Sequence, residues 1–70
     1  MHKSTIEYIT AILTRNLIRA AEEKKTIYSL LENPSRSAEE HRVLTAAAFS
    51  AAESYLKAVD ALDEFKQEFQ

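Results

Sequence analysis

The chain has 70 residues and a formal charge of −2, with no cysteine, no glycine and a single proline. A chain of this length forms one small domain, and without cysteine it has neither a disulfide nor a thiolate zinc site to stabilise it. The absence of glycine excludes a glycine-rich phosphate loop, and a near-neutral charge argues against a general polyanion binder. Association with another chain is the remaining way to stabilise such a domain.

Charge is distributed unevenly along the chain. Residues 1–25 carry five basic and three acidic side chains, whereas residues 53–70 carry five acidic and two basic ones. In an antiparallel hairpin these two segments lie side by side, so we expect them to complement each other. The most apolar N-terminal run, residues 9–18, contains Arg15 and Asn16 and falls short of the ~20 apolar residues that a membrane span needs. The expected location is the cytoplasm, with no membrane partner.

The first helix is predicted over residues 4–32. Ser4-Thr5-Ile6-Glu7 matches a capping box, in which Ser4 accepts from backbone amides and Glu7 reaches back. A stripe then recurs at alternating steps of four and three, which is typical of a helix that packs along one partner helix. This stripe is Ile6, Thr10, Leu13, Leu17, Ala20, Lys24, Ile27 and Leu31, widened by Ile9 and Leu30.

The connection is predicted over residues 33–37. Proline disfavours a helical residue before it, and asparagine is a common residue at a helix end, so Asn33-Pro34 marks the end of the first helix. A link this short forces the next helix to fold back antiparallel. Ser37-Ala38-Glu39-Glu40 then supplies a second capping box, with Ser37 as the cap and Glu40 as the answering acid.

The second helix is predicted over residues 38–68 and carries the longest stripe. Its middle is built from alanine and serine, which lets another helix approach closely, and Glu53 and Lys57 form an i,i+4 pair in the favourable order. The sequence therefore predicts an all-α fold, an antiparallel two-helix hairpin completed to a helical bundle by self-association or by a partner. The stripe of the second helix is His41, Leu44, Ala48, Ala51, Tyr55, Ala58, Leu62, Phe65 and Phe69.

Large apolar residues remain outside both stripes. Burial of one such side chain stabilises a protein by roughly 1.5–3 kcal/mol, so leaving several in water forgoes much of a small domain's stability. Patches of this kind mark interaction surfaces. The alternatives are a homodimeric four-helix bundle, docking of a different protein, or coverage by the chain termini.

The surplus falls into three groups. On the second helix, a ridge beside the stripe consists of Phe49, Ala52, Leu56 and Val59. On the first helix, Ile18, Ala21 and Tyr28 lie on one flank of the stripe, and Tyr8 and Ile12 lie on the other. The predicted partner-binding residues are Phe49, Ala52, Leu56, Val59, Ile18 and Tyr28.

No arrangement of residues predicts catalysis, a cofactor or a metal site. His41 has no second histidine at ligand spacing, so we interpret it as a structural residue of the stripe. The acidic cluster Asp60, Asp63 and Glu64 lies opposite the stripe and is interpreted as a solvated face. A Glu-x-x-His motif, which four-helix di-metal sites require, is absent. We therefore expect a protein that is not an enzyme.

Two features of the first helix leave alternatives open. Asn16, at the edge of the stripe, is either a buried polar residue that sets register or a surface residue. Arg15 and Arg19 lie one turn apart beside Tyr8 and Ile12, and a basic face with an aromatic residue is found in proteins that bind RNA or DNA. A homodimeric hairpin that binds RNA or DNA as a regulator is the alternative function. A third possibility is a dimeric regulator that blocks a target enzyme.

The layout resembles the small co-chaperones of type III secretion needle subunits, which are helical hairpins of similar size. The likeness lies in Ser37-Ala38-Glu39-Glu40-His41-Arg42-Val43-Leu44 and in Ala51-Ala52-Glu53. There the family tends to place a polar pair, an aromatic and two apolar residues before a stretch with alanine and glutamate. His41 stands at the position of the aromatic. The resemblance implies that the hairpin binds a helical-repeat chaperone and helps to keep a needle subunit soluble in the bacterial cytoplasm.

Overall fold

The computed structural model describes residues 1–33 and 37–69. It contains two packed α-helices, α1 (Lys3–Leu31) and α2 (Ala38–Phe69), and the all-α hairpin predicted from the sequence is confirmed. The helices run antiparallel, since Tyr28 near the end of α1 shares a groove with Ala48 early in α2. The Cα atoms extend over 53 × 14 × 12 Å, so the molecule is a rod two helices wide.

The start of α1 differs from the predicted capping box. His2 is the N-cap, with an extended backbone and no hydrogen bond from its side chain, and its carbonyl accepts from the amides of Thr5 and Ile6, both at 3.1 Å. Ser4 therefore lies inside the first turn and is not the cap. Nothing in the fold opposes this extra residue of helix, because the N-terminal turn is exposed and each added turn gains backbone hydrogen bonds.

α1 ends at Leu31, one residue before the predicted end. The amide of Asn33 donates to the carbonyl of Leu30 at 3.3 Å, an i→i+3 bond that tightens the last turn. None of the described residues has a positive φ, so Asn33 does not end the helix in the left-handed conformation that asparagine tolerates. The rest of the predicted connection, residues 34–36, lies outside the described residues.

Ser37 caps α2 as predicted. Its hydroxyl accepts from the Glu40 amide at 3.2 Å, and its carbonyl accepts from the His41 amide at 2.9 Å. Glu39 and Glu40 lie in the first turn and Lys66 in the last, which complements the helix dipole at both ends. The predicted pair of Glu53 and Lys57 is also confirmed, with 3.3 Å between Oε1 and Nζ on an exposed part of the helix.

The seam between the helices follows the two predicted stripes. The buried residues among those described are Ala20, Ala48, Ala51 and Leu62, and all four belong to the stripes. Other stripe residues are half-buried, whereas Leu30, which was expected to widen the stripe of α1, is 38% exposed. His41 is exposed as well. Its expected place on the seam was wrong because α1 ends at Leu31, which shares a groove with Thr45 and Ala48, so His41 extends beyond the end of the opposing helix.

The expected electrostatic complementarity between the helices does not take the form of ion pairs. Across residues 1–33 and 37–69, no ion pair joins α1 to α2, and the Glu53–Lys57 pair lies within α2. A cation–π contact crosses the seam: Nζ of Lys24 lies 4.8 Å from the ring centre of Tyr55 on α2. The same Nζ lies 5.6 Å from the ring centre of Tyr28 on its own helix. A half-buried lysine between two aromatic rings is stabilised by the negative faces of those rings.

Candidate functional site

The ridge on α2 and its neighbours on α1 stay uncovered in the hairpin. The exposed fractions are 75% for Phe49, 60% for Leu56, 57% for Ile18 and 42% for Tyr28. Ala52 and Val59, the smaller members of the ridge, are half-buried against α1. Each predicted partner-binding residue is therefore either exposed or at the margin of the seam, and none of them belongs to the buried core.

Helix geometry brings these residues to one side of the rod. Tyr28 and Phe49 line the same groove with Leu31, Thr45 and Ala48, so the two flanks meet across the seam. At 100° per residue, Ala21 and Ile18 continue from Tyr28 along α1, while Ala52, Leu56 and Val59 continue from Phe49 along α2. We refer to this surface as the apolar face, which consists of Ile18, Ala21, Tyr28, Phe49, Ala52, Leu56 and Val59. One exposed charged residue, Lys25, lies on it between Ala21 and Tyr28.

The apolar face has a small middle and bulky surroundings. Along the seam side of the face the small residues Ala21 and Ala52 lie in the middle, with Tyr28 and Val59 beyond them toward the two ends, whereas Phe49, Leu56 and Ile18 stand farther out on the two helices. The face spans residues 18–28 of α1, which corresponds to about 16 Å of a 53 Å rod, and on this helix it lies in the half nearest to residues 34–36. This shape is a shallow trough, which suits an amphipathic helix better than a small ligand.

The opposite side of the rod is more polar, although Tyr8 and Val43, which are 68% and 58% exposed, also lie on it. A groove there is lined by Asn16, Arg19, Glu23, Ser54 and the seam alanines Ala20 and Ala58. Asn16 is exposed and its Oδ1 accepts from Nη2 of Arg19 at 3.2 Å, so it is a surface residue and not a buried residue that sets register. The contrast between the two sides identifies the apolar face as the surface that water solvates least well.

The single hairpin exposes more surface than a compact protein of its mass. Its accessible area is 5423 Å² for 8.0 kDa, whereas the usual scaling for a folded monomer gives about 4,450 Å². The radius of gyration is 16.1 Å, against roughly 11 Å for a compact chain of this length. An excess of about 1,000 Å² is close to what one partner contributes to a standard protein–protein interface, ~800 Å².

The other candidates from the sequence do not form a site. Asp60, Asp63 and Glu64 are exposed on α2, and no group of three or more histidine, aspartate or glutamate side chains in the described part of the chain could hold a metal ion. Arg15 and Arg19 line a shallow groove on α1 together with Glu22 and Glu23. Acidic side chains beside both arginines oppose the approach of phosphate groups.

Two features were missed in the sequence. Val43 is 58% exposed but lies on the polar side of α2, on the flank opposite Phe49 and Leu56. The heptad position of Val43 would have shown that it is off the seam. The contact between Lys24 and Tyr55 could have been found by aligning the two stripes in antiparallel register, which brings Lys24 level with the turn before Tyr55.

Comparisons of the chain with models of protein families, with characterised proteins and with solved structures find no match. Neither described helix is sufficiently long and apolar to cross a membrane. Function must therefore be inferred from the geometry and the chemistry of the chain itself.

Proposed function

We propose that this chain is a non-enzymatic protein-binding hairpin. Its apolar face receives an amphipathic helix of a partner protein, and the two together complete a helical bundle. The observation that carries the proposal is the exposure of Phe49, Leu56, Ile18 and Tyr28 side by side on a rod whose own core contains one large buried side chain, Leu62, among the described residues. Weighted by those exposed fractions, covering the four would contribute roughly 3–7 kcal/mol to a complex.

The finer proposal is that the chain acts in the bacterial cytoplasm as a co-chaperone of a type III secretion needle subunit. It rests on the resemblance of residues 37–44 and 51–53, and on the hairpin form with an uncovered helical face. In this proposal a helical-repeat chaperone lays one of its helices along the apolar face, and the pair of proteins keeps the needle subunit from polymerising. Genes for a secretion apparatus next to the gene of this chain would support it.

A crosslinking experiment tests the general proposal. A photo-reactive amino acid is placed at position 56 on the apolar face or at position 43 on the polar side, and the protein captured in cells is identified and purified. Its binding is then measured by calorimetry against the wild-type chain, Leu56→Asp and Val43→Asp. Leu56 and Val43 are a matched pair, since both are exposed aliphatic residues of α2 and their replacement leaves the seam intact.

We expect Leu56→Asp to weaken binding at least 30-fold, because an unpaired carboxylate would be buried, and we expect Val43→Asp to bind like the wild type. Equal binding by both variants would refute the proposal. The alternative, a nucleic-acid binder, predicts retention on heparin that falls steeply with salt and is lost in the double variant Arg15→Ala/Arg19→Ala.

The co-chaperone proposal has its own test. The chain is co-expressed with the needle subunit and the helical-repeat chaperone of the same genome, and the needle subunit is followed in the soluble fraction. A soluble complex of the three proteins that is lost with Leu56→Asp is the expected result. If the needle subunit is equally soluble without this chain, the co-chaperone proposal is wrong, whereas the general proposal is judged by the calorimetry alone.

A further inference from the structure

We infer that, in the absence of another partner, the apolar face is occupied by a second copy of this chain, and that the two copies lie face to face with their closed ends together. The closed end is the one at which residues 34–36 join the helices. This inference rests on the proposed role of the apolar face as a helix-binding surface and names its occupant. Three properties of the structure support it: area, position and charge.

The area matches a dimer. The elongated hairpin exposes about 1,000 Å² more than a compact monomer over all its sides, and an interface of ordinary size would cover a similar area on each copy. The shape also suits a copy, because each face offers a trough at Ala21 and Ala52 and prominent side chains at Phe49 and Leu56. Two identical faces of this kind can place the prominent side chains of each in the trough of the other.

The position of the apolar face favours one orientation of the copies. On α1 the face lies between residues 18 and 28, in the half nearest to the closed end, and on α2 it lies between residues 49 and 59, near the middle of the helix. If the closed ends pointed in opposite directions and the rods overlapped fully, Tyr28 and Phe49 would meet the far half of the rod, where Glu7 and Lys66 are exposed. With the closed ends together, the apolar faces coincide and the rods overlap along their whole length.

This orientation has a definite consequence for the helices. A two-fold axis parallel to the rods places α1 of one copy over α2 of the other, so that Tyr28 faces the partner's Phe49 and Ile18 faces the partner's Val59. The result is a four-helix bundle in which every neighbouring pair of helices is antiparallel. In this bundle each copy covers the apolar face of the other, and the opposite side of each hairpin stays in contact with water.

Charges at the edges of the face agree with α1 lying over α2. Ala20 of α1 lines the same groove as Ser54 and Ala58 of α2, which shows that these positions of the two helices lie opposite each other. Continuing this alignment by about one and a half turns places Arg15 level with Asp60 and Asp63 of α2. Within one copy Arg15 and Asp60 point away from each other on the two outer edges of the rod, and both are exposed. Between two copies in the proposed orientation they lie on the same edge.

Two further pairs of opposite charge fall together in this arrangement. Lys25 lies level with Glu53 of the other copy, a carboxylate that also pairs with Lys57 of its own helix at 3.3 Å. Glu32 lies level with Arg42, near the closed end. Glu22 comes to the level of Glu53 on the same edge, so this edge also contains one pair of like charges, which opposes the association. A partner whose surface carries charges of one sign would complement only one edge of this face. A second copy brings α1 to one edge and α2 to the other, so it offers opposite charges at both edges.

Sedimentation equilibrium of the full chain tests the inference over about 1 to 500 µM, a range that covers the affinity of an interface of ordinary size. The wild type and Val43→Asp are expected to pass from 8.0 kDa to twice that mass as concentration rises. Leu56→Asp is expected to remain at 8.0 kDa, with its helix content by circular dichroism unchanged. A wild type that stays monomeric throughout overturns the inference and leaves the proposed function standing, since the face would then be reserved for another protein.

A charge exchange tests the orientation. Arg15→Glu is expected to raise the dissociation constant about three- to tenfold, because each dimer contains the pair twice and places two carboxylates together. Adding Asp60→Arg to the same chain is expected to return the constant to near the wild-type value. Within a single copy these two side chains do not meet, so recovery can arise only between copies with α1 over α2. A double variant as weak as Arg15→Glu alone would overturn the proposed orientation.

Discussion

The contrast between Leu62 and Leu56 gives a direct test of the packing. Both leucines lie on α2 and face different surroundings: Leu62 is 7% exposed on the seam, whereas Leu56 is one of the most exposed residues of the apolar face. The perturbation is the same substitution at each position, Leu62→Ala and Leu56→Ala. Alanine favours the helix at both, so the two variants differ in packing and not in helix propensity.

The expected magnitudes follow from burial. Leu62→Ala removes most of a buried side chain and leaves a cavity in the seam, which costs about 2–5 kcal/mol. A domain of this length has roughly 4–10 kcal/mol of stability in total, so this variant should be close to unfolded at the upper end of the cost. Leu56→Ala in the isolated hairpin should change the free energy of unfolding by no more than about 0.5 kcal/mol.

The assay is urea unfolding followed by far-ultraviolet circular dichroism at two protein concentrations. At the lower concentration, where the hairpin is alone, only Leu62→Ala should be destabilised. At the higher one, Leu56→Ala should lose stability relative to the wild type, because the wild type gains from covering Leu56. If Leu56→Ala costs as much as Leu62→Ala at the lower concentration, Leu56 is covered within a single chain and the reasoning about the apolar face fails.

Two further predictions concern the ends of the helices and the seam. Ser37→Ala should destabilise the protein by about 1 kcal/mol because it removes the cap of α2. Ser4→Ala should change the stability by no more than about 0.5 kcal/mol, because His2 and not Ser4 is the N-cap of α1. Urea unfolding of both variants checks this, and equal losses of stability would show that Ser4 is a cap. A double-mutant cycle of Lys24→Met and Tyr55→Leu should give a coupling of about 0.5–1 kcal/mol from the cation–π contact across the seam. Strictly additive effects would mean that Lys24 is held by packing of its alkyl chain alone.

Much of the fold could be predicted because it depends on local periodicity. The alternating steps of Leu13, Leu17 and Ala20 on α1, and of Ala48, Ala51 and Tyr55 on α2, identified the seam, and these residues are buried or half-buried. The cap at Ser37 was predictable for the same reason, since a capping bond spans three residues of one helix. Ser4 shows the limit: a capping sequence does not decide which residue starts an exposed helix, because neighbouring starts differ little in free energy.

The sequence by itself determined which residues of each helix lie on the seam and which apolar side chains are left over, because the period of a helix is a property of one segment. Only the tertiary structure decided that Tyr28 of α1 and Phe49 of α2 share one side of the rod, that His41 extends past the end of the opposing helix, and that Lys24 meets Tyr55. These facts depend on the register and the facing of two helices that are far apart in the chain. The packing of the small residues along the seam sets that register, and no local pattern contains it.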